Sequence, residues 1–316
     1  YFRQFSSLLV ANDLETYATV INKCYLSNAE DRDIVQLRGL YCGLKAELEE
    51  CEMCENWTQG IISANYAPKN DLNIQSNERV FYTTRNAGYI DTALNIIYSY
   101  PEDIRPFFLA PLLAEASVHA NTSGVFKGFY KNPDTGLGQF GGKNKNALSR
   151  ITGNIDIPFP VFSEYNCETV LLQGDANQII KTAPEVDLAY VDPPYNQHPY
   201  GSNYFMLNVI ANNKLEGKMS PVSGIPENWN RSAYNKQKEV EEAFTTLISD
   251  LSAKFVLVSF NSEGFITSEK IQEILNKFGE VTILETDYNA FRGSRNLSGR
   301  SLYVKEYLFL LEKTDK

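Results

Sequence analysis

Histidine and cysteine are scarce in this 316-residue sequence, at two and five, and none of Cys24, Cys42, Cys51, Cys54 and Cys167 follows a proline. A cysteine nucleophile displayed after proline is therefore missing. The odd cysteine count reads as reduced thiols in a cytosolic protein, not a disulfide scaffold. Cys51-Glu-Met-Cys54 has zinc-ligand spacing, but there is no second pair and His119 and His198 are far away in sequence, so no metal is expected. With two histidines and no G-x-S-x-G, a serine hydrolase has little to work with. The longest apolar runs, such as Phe255 to Phe260, are strand-length and too short to span a bilayer. No charged leader with an apolar core opens the chain, so a cytoplasmic protein is expected. Internal repeats and low-complexity tracts are absent as well.

What is present suits a folded α/β protein: 43% hydrophobic, 22% charged and 12% aromatic residues. The formal net charge of −10 hides an uneven distribution. Residues 121–154 carry Lys127, Lys131, Lys143, Lys145 and Arg150 against Asp134 alone. Residues 287–305 carry Arg292, Arg295, Arg300 and Lys305 against Asp287, whereas 29–55 hold eight acids against three bases. Two basic stretches on an acidic chain are compatible with gripping a polyanion on one face.

Ser7 to Ala11 reads as a strand running into Asn12-Asp13, and Leu14 to Leu26 as a helix. Residues 31–54 and 91–120 read as mainly helical, with a break at Ser-Tyr-Pro near residue 100, and 125–157 as loop-dominated. From Glu168 strands alternate with helices: strands at 169–173, 186–191, 254–260, 281–285 and 304–311, and helices after Asp175, at 203–212, 236–251 and 268–278. Such alternation predicts a mostly parallel sheet, with ligands outside the carboxyl ends of its strands. The region 29–158 lacks it and reads as an insertion or second domain.

The sharpest feature is Asp192-Pro193-Pro194-Tyr195, directly after the strand Leu188-Ala189-Tyr190-Val191. Chance yields this tetrapeptide in about one chain per thousand of this length. A Pro-Pro turn capping a strand is the plain alternative. Two prolines remove two N–H donors and point carbonyls outward. An acid, a rigid carbonyl and an aromatic face suit a planar group with an exocyclic amine: the Asp192 carboxylate and Pro193 carbonyl each accept an amino hydrogen, and the Tyr195 ring stacks.

The tetrapeptide resembles the catalytic motif of the amino-methylating DNA methyltransferases. Its context, DPPYNQHPYGSNYFMLN from Asp192 to Asn208, resembles their D12 class, which methylates adenine N6. The stretches Val10 to Leu26, Gly124 to Ile151 and Tyr288 to Leu310 match the same family in the same order. The resemblance implies a Rossmann-like methyltransferase sheet from 1–28 and 159–316, with an inserted, mainly helical target-recognition region at 29–158. It implies S-adenosylmethionine as cofactor, Asp13 as the acid for its ribose hydroxyls, Asp175 as the acid for its adenine amine, and Asp192 beside its methyl group. Taken alone, Asp13 and Asp175 read equally well as helix caps. Asp192, Pro193, Pro194 and Tyr195 become the catalytic set, acting by positioning on a base flipped out of duplex DNA. A cognate restriction endonuclease acting separately, in a prokaryotic cell, is the implied setting.

Gly136 to Gly141 fits G-x-G-x-x-G, but no apolar strand precedes it, so a dinucleotide site is rejected. Its neighbours Lys127, Lys131, Lys143 and Lys145 are candidates for DNA phosphates, the alternative being a solvated loop. Arg292, Arg295 and Asn296 suit phosphate or guanine contact, the alternative being a charged hairpin. One departure stands out. The family carries a glycine-containing phenylalanine loop before the ribose acid, where only glycine allows close backbone approach. Here Gly39 is the first glycine. With Tyr1 in first place, the chain is expected to lack its natural N-terminus. An inactive DNA-binding remnant is therefore the first alternative, and an enzyme acting on cytosine N4, RNA or protein the second.

Overall fold

The structure, a computed structural model, describes residues 1–289 and 303–314. Its elements run β1 (Leu8–Asp13), α1 (Thr16–Tyr25), α2 (Ile34–Met53), α3 (Ile61–Tyr66), α4 (Thr84–Ser99), α5 (Pro106–Val118), α6 (Leu148–Thr152) and β2 (Glu168–Gln173). There follow α7 (Ala176–Ile179), β3 (Val186–Val191), α8 (Tyr200–Asn203), α9 (Phe205–Asn212), α10 (Val240–Asp250), β4 (Ala253–Asn261), α11 (Ser268–Leu275), β5 (Gly279–Asn289) and β6 (Tyr303–Lys313). Two compact units emerge, Tyr1–Leu172 with Gly201–Trp229, and Gln173–Tyr200 with Asn230–Lys316. They divide the chain by packing, and so group β1 and α1 with the helices of residues 29–158.

The first unit is built on helices whose ends the sequence marks. Asp33 caps α2 by accepting from the Gln36 amide at 2.9 Å. Thr83 caps α4 by accepting from the Asn86 amide at 3.1 Å, so this helix starts seven residues before the expected Asp91. Asp91 has another use. Buried in mid-helix, it accepts from the amides of Gly60, Ile62 and Ser63 and from the Ser63 hydroxyl, and so satisfies the N-terminus of α3, an element without a periodic signal. The expected break holds: α4 stops at Ser99 and α5 restarts at Pro106. Fully buried Phe81 centres the core, its ring 5.3 Å from Phe129, 5.9 Å from Tyr66 and 6.2 Å from both Phe126 and Phe205. β1 and β2 form a two-stranded sheet.

The second unit carries a four-stranded sheet in the order β3-β4-β6-β5. Only β3 and β4 pair in parallel; β6 runs antiparallel to both β4 and β5. The expectation of a mostly parallel sheet is corrected on this point. Parallel neighbours need a long crossover, which α10 supplies between β3 and β4, whereas no helix separates β5 from β6 among the described residues. β5 also runs eleven residues instead of the expected five, paired along its whole length with β6. Val256, Val258, Phe260, Phe309 and Leu311 face Phe244, Ile248, Ile271 and Ile274 of α10 and α11 in one buried core. Among the described residues no helix is long and apolar enough to cross a membrane.

Candidate active site

β3 ends at Val191 and the chain leaves the sheet through Asp192, Pro193 and Pro194, since proline cannot continue a ladder. Tyr195 is then fixed from several sides. Its carbonyl accepts from the Phe265 amide at 2.7 Å, and its ring meets that of Phe260 edge-on at 5.2 Å. Gly264 makes this approach possible, because a Cβ there would stand 2.3 Å from Phe260 Cε1 and 3.2 Å from Tyr195 Cβ. One residue on, the Asn196 carbonyl accepts from Asn235 Nδ2 at 2.8 Å. Asp192 presents its side chain to solvent, yet the surrounding protein desolvates it enough to raise its pKa above the ordinary carboxylate value. Burial, then the charge of Asp192, pushes the Tyr195 hydroxyl well above its usual range, so it stays neutral.

Sequence reasoning passed over Glu306. On β6 it lies in register with Asn261 of β4 and Thr286 of β5, half-buried. Burial raises its pKa, a hydrogen bond with the Asn261 side chain lowers it, and the charge of Asp192 raises it again. A second carboxyl group therefore senses the first. Its only trace in the sequence is a lone acid inside the apolar run Tyr303 to Leu311.

Asp175 follows β2 and caps α7, its Oδ1 accepting from the Asn177 amide at 3.0 Å. Asn177 in turn donates from Nδ2 to the Ala243 carbonyl at 2.7 Å and accepts at Oδ1 from the Tyr234 hydroxyl at 3.0 Å. Asp13 closes β1 in the other unit. Burial raises its pKa, and the amides of Glu15 and Leu14 lower it, that of Glu15 donating at 2.8 Å. Asp175 thus serves as a helix cap, as the plain alternative has it, whereas Glu15 holds the N-cap position of α1 and Asp13 closes a local turn onto the Glu15 amide; each acid also stands at or just past the carboxyl end of a strand.

Lys127, Lys131, Lys143 and Lys145 are all exposed in the first unit, and none forms an ion pair among the described residues. Lys131 lies over the Phe129 ring at 5.4 Å. Their loop is tightly built. Asn121, fully buried, donates to the carbonyls of Val80 and Gln139 and accepts from the Gly141 amide. Lys131 bridges Gly138 in an antiparallel turn, and Gly138 is pressed against Val80, where a Cβ would stand 2.3 Å away. The glycine pattern thus makes a tight hairpin, not a helix start. Arg150 is consumed internally, donating to the carbonyls of Val118, Ala120 and Thr122. Arg292, Arg295 and Asn296 lie outside the described residues. No group of three or more His, Cys, Asp or Glu able to hold a metal occurs among the described residues.

Comparison with known proteins identifies the family. The family model for the D12 class N6 adenine-specific DNA methyltransferases matches residues 2–274. The chain is 31% identical over 317 residues to the type II methyltransferase M.NlaIII of Neisseria lactamica, covering 97% of this chain and 84% of that protein. It is 27% identical to M.CviAII of Paramecium bursaria Chlorella virus 1, covering 96% and 82%. It is also 25% identical to M.FokI of Planomicrobium okeanokoites, of which it spans 45%. The acid-proline-proline-aromatic turn at the end of β3 thus sits in the protein its sequence suggested, and the chain belongs to the D12 class of N6 adenine-specific DNA methyltransferases.

Proposed function

We propose that this chain transfers the methyl group of S-adenosylmethionine to N6 of an adenine flipped out of duplex DNA at a specific site, as the modification enzyme of a restriction–modification system. The observation that carries the reading is the Asp192-Pro193-Pro194-Tyr195 turn at the carboxyl end of β3, with Tyr195 held by Phe260, Gly264 and Phe265.

The donor set fits the cofactor. Asp13 ends β1 and Asp175 lies two residues beyond β2, where ligands of α/β sheets bind. Asp175 commits Oδ1 to the Asn177 amide, and Oδ2 has no partner among the described residues, which leaves an acceptor for an adenine amine. Asp13 would take the ribose hydroxyls. S-adenosylmethionine, when bound, supplies an electrophilic methyl group on sulfonium.

The rest belongs to this chain's own side chains. Tyr195, neutral and braced edge-on by Phe260, stacks on the flipped base. The Asp192 carboxylate and the Pro193 carbonyl each accept one N6 hydrogen, drawing the lone pair out of ring conjugation. The raised pKa makes Asp192 the stronger acceptor, and it holds the amine proton at a carboxylate oxygen as N6 becomes positive. Lys127, Lys143 and Lys145, with Lys131 beside them, meet DNA phosphates, and residues 29–158 contribute to target recognition. A separate endonuclease sharing the target site would complete the system, as the type II names of the relatives suggest.

The test incubates the protein with labelled S-adenosylmethionine and mixed unmethylated duplex DNA, and identifies the modified nucleoside by mass. N6-methyladenine is expected. N4-methylcytosine would overturn the base, and DNA binding without transfer would mean an inactive remnant.

A further inference from the structure

The turn of residues 232–235 belongs to none of the motifs, and it touches two of them. Ser232 Oγ accepts from the Tyr234 amide at 3.2 Å and its carbonyl accepts from the Asn235 amide at 3.2 Å, closing a single 3-10 turn that leads into α10. Tyr234 points inward and is 4% exposed, in the core formed with Val240, Phe244 and Ile248. Its hydroxyl donates to Asn177 Oδ1. Asn177 Nδ2 is already spent on the Ala243 carbonyl of α10, and its backbone amide donates to Asp175 Oδ1. Asp175 is therefore aimed by a residue whose carboxamide is locked at both ends. The next residue, Asn235, donates instead to the Asn196 carbonyl, one position past Tyr195.

We propose that Tyr234 and Asn235 are positioning residues of one clip: through Asn177, Tyr234 aims the cofactor acid Asp175, while Asn235 steadies the loop that presents Tyr195 to the base. The proposal rests on the roles given above to Asp175 and to Asp192 through Tyr195. The clip is stiff because α10, to which it is joined, packs on the sheet through Val240, Phe244, Leu247 and Ile248. Its two arms are chemically independent, since each hydrogen bond uses a different donor. Loss of the Tyr234 hydroxyl leaves a half-buried Asn177 oxygen unpaired and frees the carboxamide to turn.

The two arms predict opposite kinetic signatures. Tyr234→Phe should weaken S-adenosylmethionine binding, measured by calorimetry without DNA, about three- to tenfold, with a smaller change in kcat. Asn177→Ala should weaken binding similarly, and the double variant should be no worse than either, because both act through one contact. Asn235→Asp keeps the shape and removes the donor. It should lower kcat several-fold while the cofactor Kd moves less than twofold, and Asn235→Gln, which restores a donor, should recover part of the rate. A merely structural role would instead lower the melting temperature and shift Kd and kcat together in all variants, and that result overturns the clip. If the wild-type chain binds cofactor and Tyr234→Phe binds it equally well, the clip fails alone. If the wild-type chain binds no cofactor, the roles given to Asp175 and to the clip fail together.

Discussion

Asp192 illustrates how a single carboxyl group serves catalysis at the expense of the fold. Desolvation raises its pKa, so its ionised form is less comfortable in the folded chain than in the unfolded one. An acid with a raised folded pKa contributes its stability at low pH and loses it as pH rises through that value. Asp192→Asn should therefore raise the melting temperature at neutral pH, with the gap to wild type closing towards acid, while methyl transfer falls about a hundredfold or more. Thermal melts at several pH values and single-turnover kinetics check both halves. In the wild-type enzyme only ionised Asp192 can accept an amino hydrogen with both oxygens free. The acid limb of kcat should then lie above the ordinary carboxylate pKa of 3.8. An acid limb at or below that value would show that Asp192 is not the titrating acceptor.

Among the elements, the turn after β4 and the strand before it act as one part. Gly264→Ala forces a Cβ into the Phe260 ring that braces Tyr195. It should depress kcat with little effect on cofactor affinity, as steady-state kinetics with cofactor binding in parallel would show. In the first unit Phe81→Ala empties the centre of an aromatic cluster and should cost about 3–5 kcal/mol, read from urea denaturation. Much of this level was legible beforehand. β3 ends at Val191 as read, because an apolar run stops at an acid and two prolines, and α10 was legible from Val240, Phe244, Leu247 and Ile248 on one face. Strand direction was not: period-two alternation is the same for parallel and antiparallel neighbours, so the two antiparallel pairs of β6 went unseen. Nor were α3, which depends on Asp91 thirty positions away, and the contacts of Tyr234 and Asn235, which arise from a turn too short to have a period.

For the whole molecule, net charge misleads. A chain at −10 still presents Lys127, Lys131, Lys143 and Lys145 together on one loop, free of ion pairs among the described residues. Replacing Lys127, Lys143 and Lys145 by alanine should weaken DNA binding across all sequences and flatten its dependence on log salt by about 0.9 for each phosphate no longer neutralised. A salt titration of binding decides the matter, an unchanged slope meaning that these lysines do not touch phosphate. The basic stretch was visible from composition, but not that Arg150 is used up on the backbone carbonyls of Val118, Ala120 and Thr122 while the lysines are left over.

That loop is also finished before any nucleic acid arrives. Its turn from Tyr130 to Gln139 is closed by backbone hydrogen bonds and pinned through Asn121 to the core. Fixing a residue's backbone costs roughly 1–2 kcal/mol in lost conformational freedom, and here the loss is met during folding. Encounter with DNA at this surface should therefore have the calorimetric character of rigid docking: a heat-capacity change no larger than the area buried accounts for, and no added signature of a segment folding as it binds.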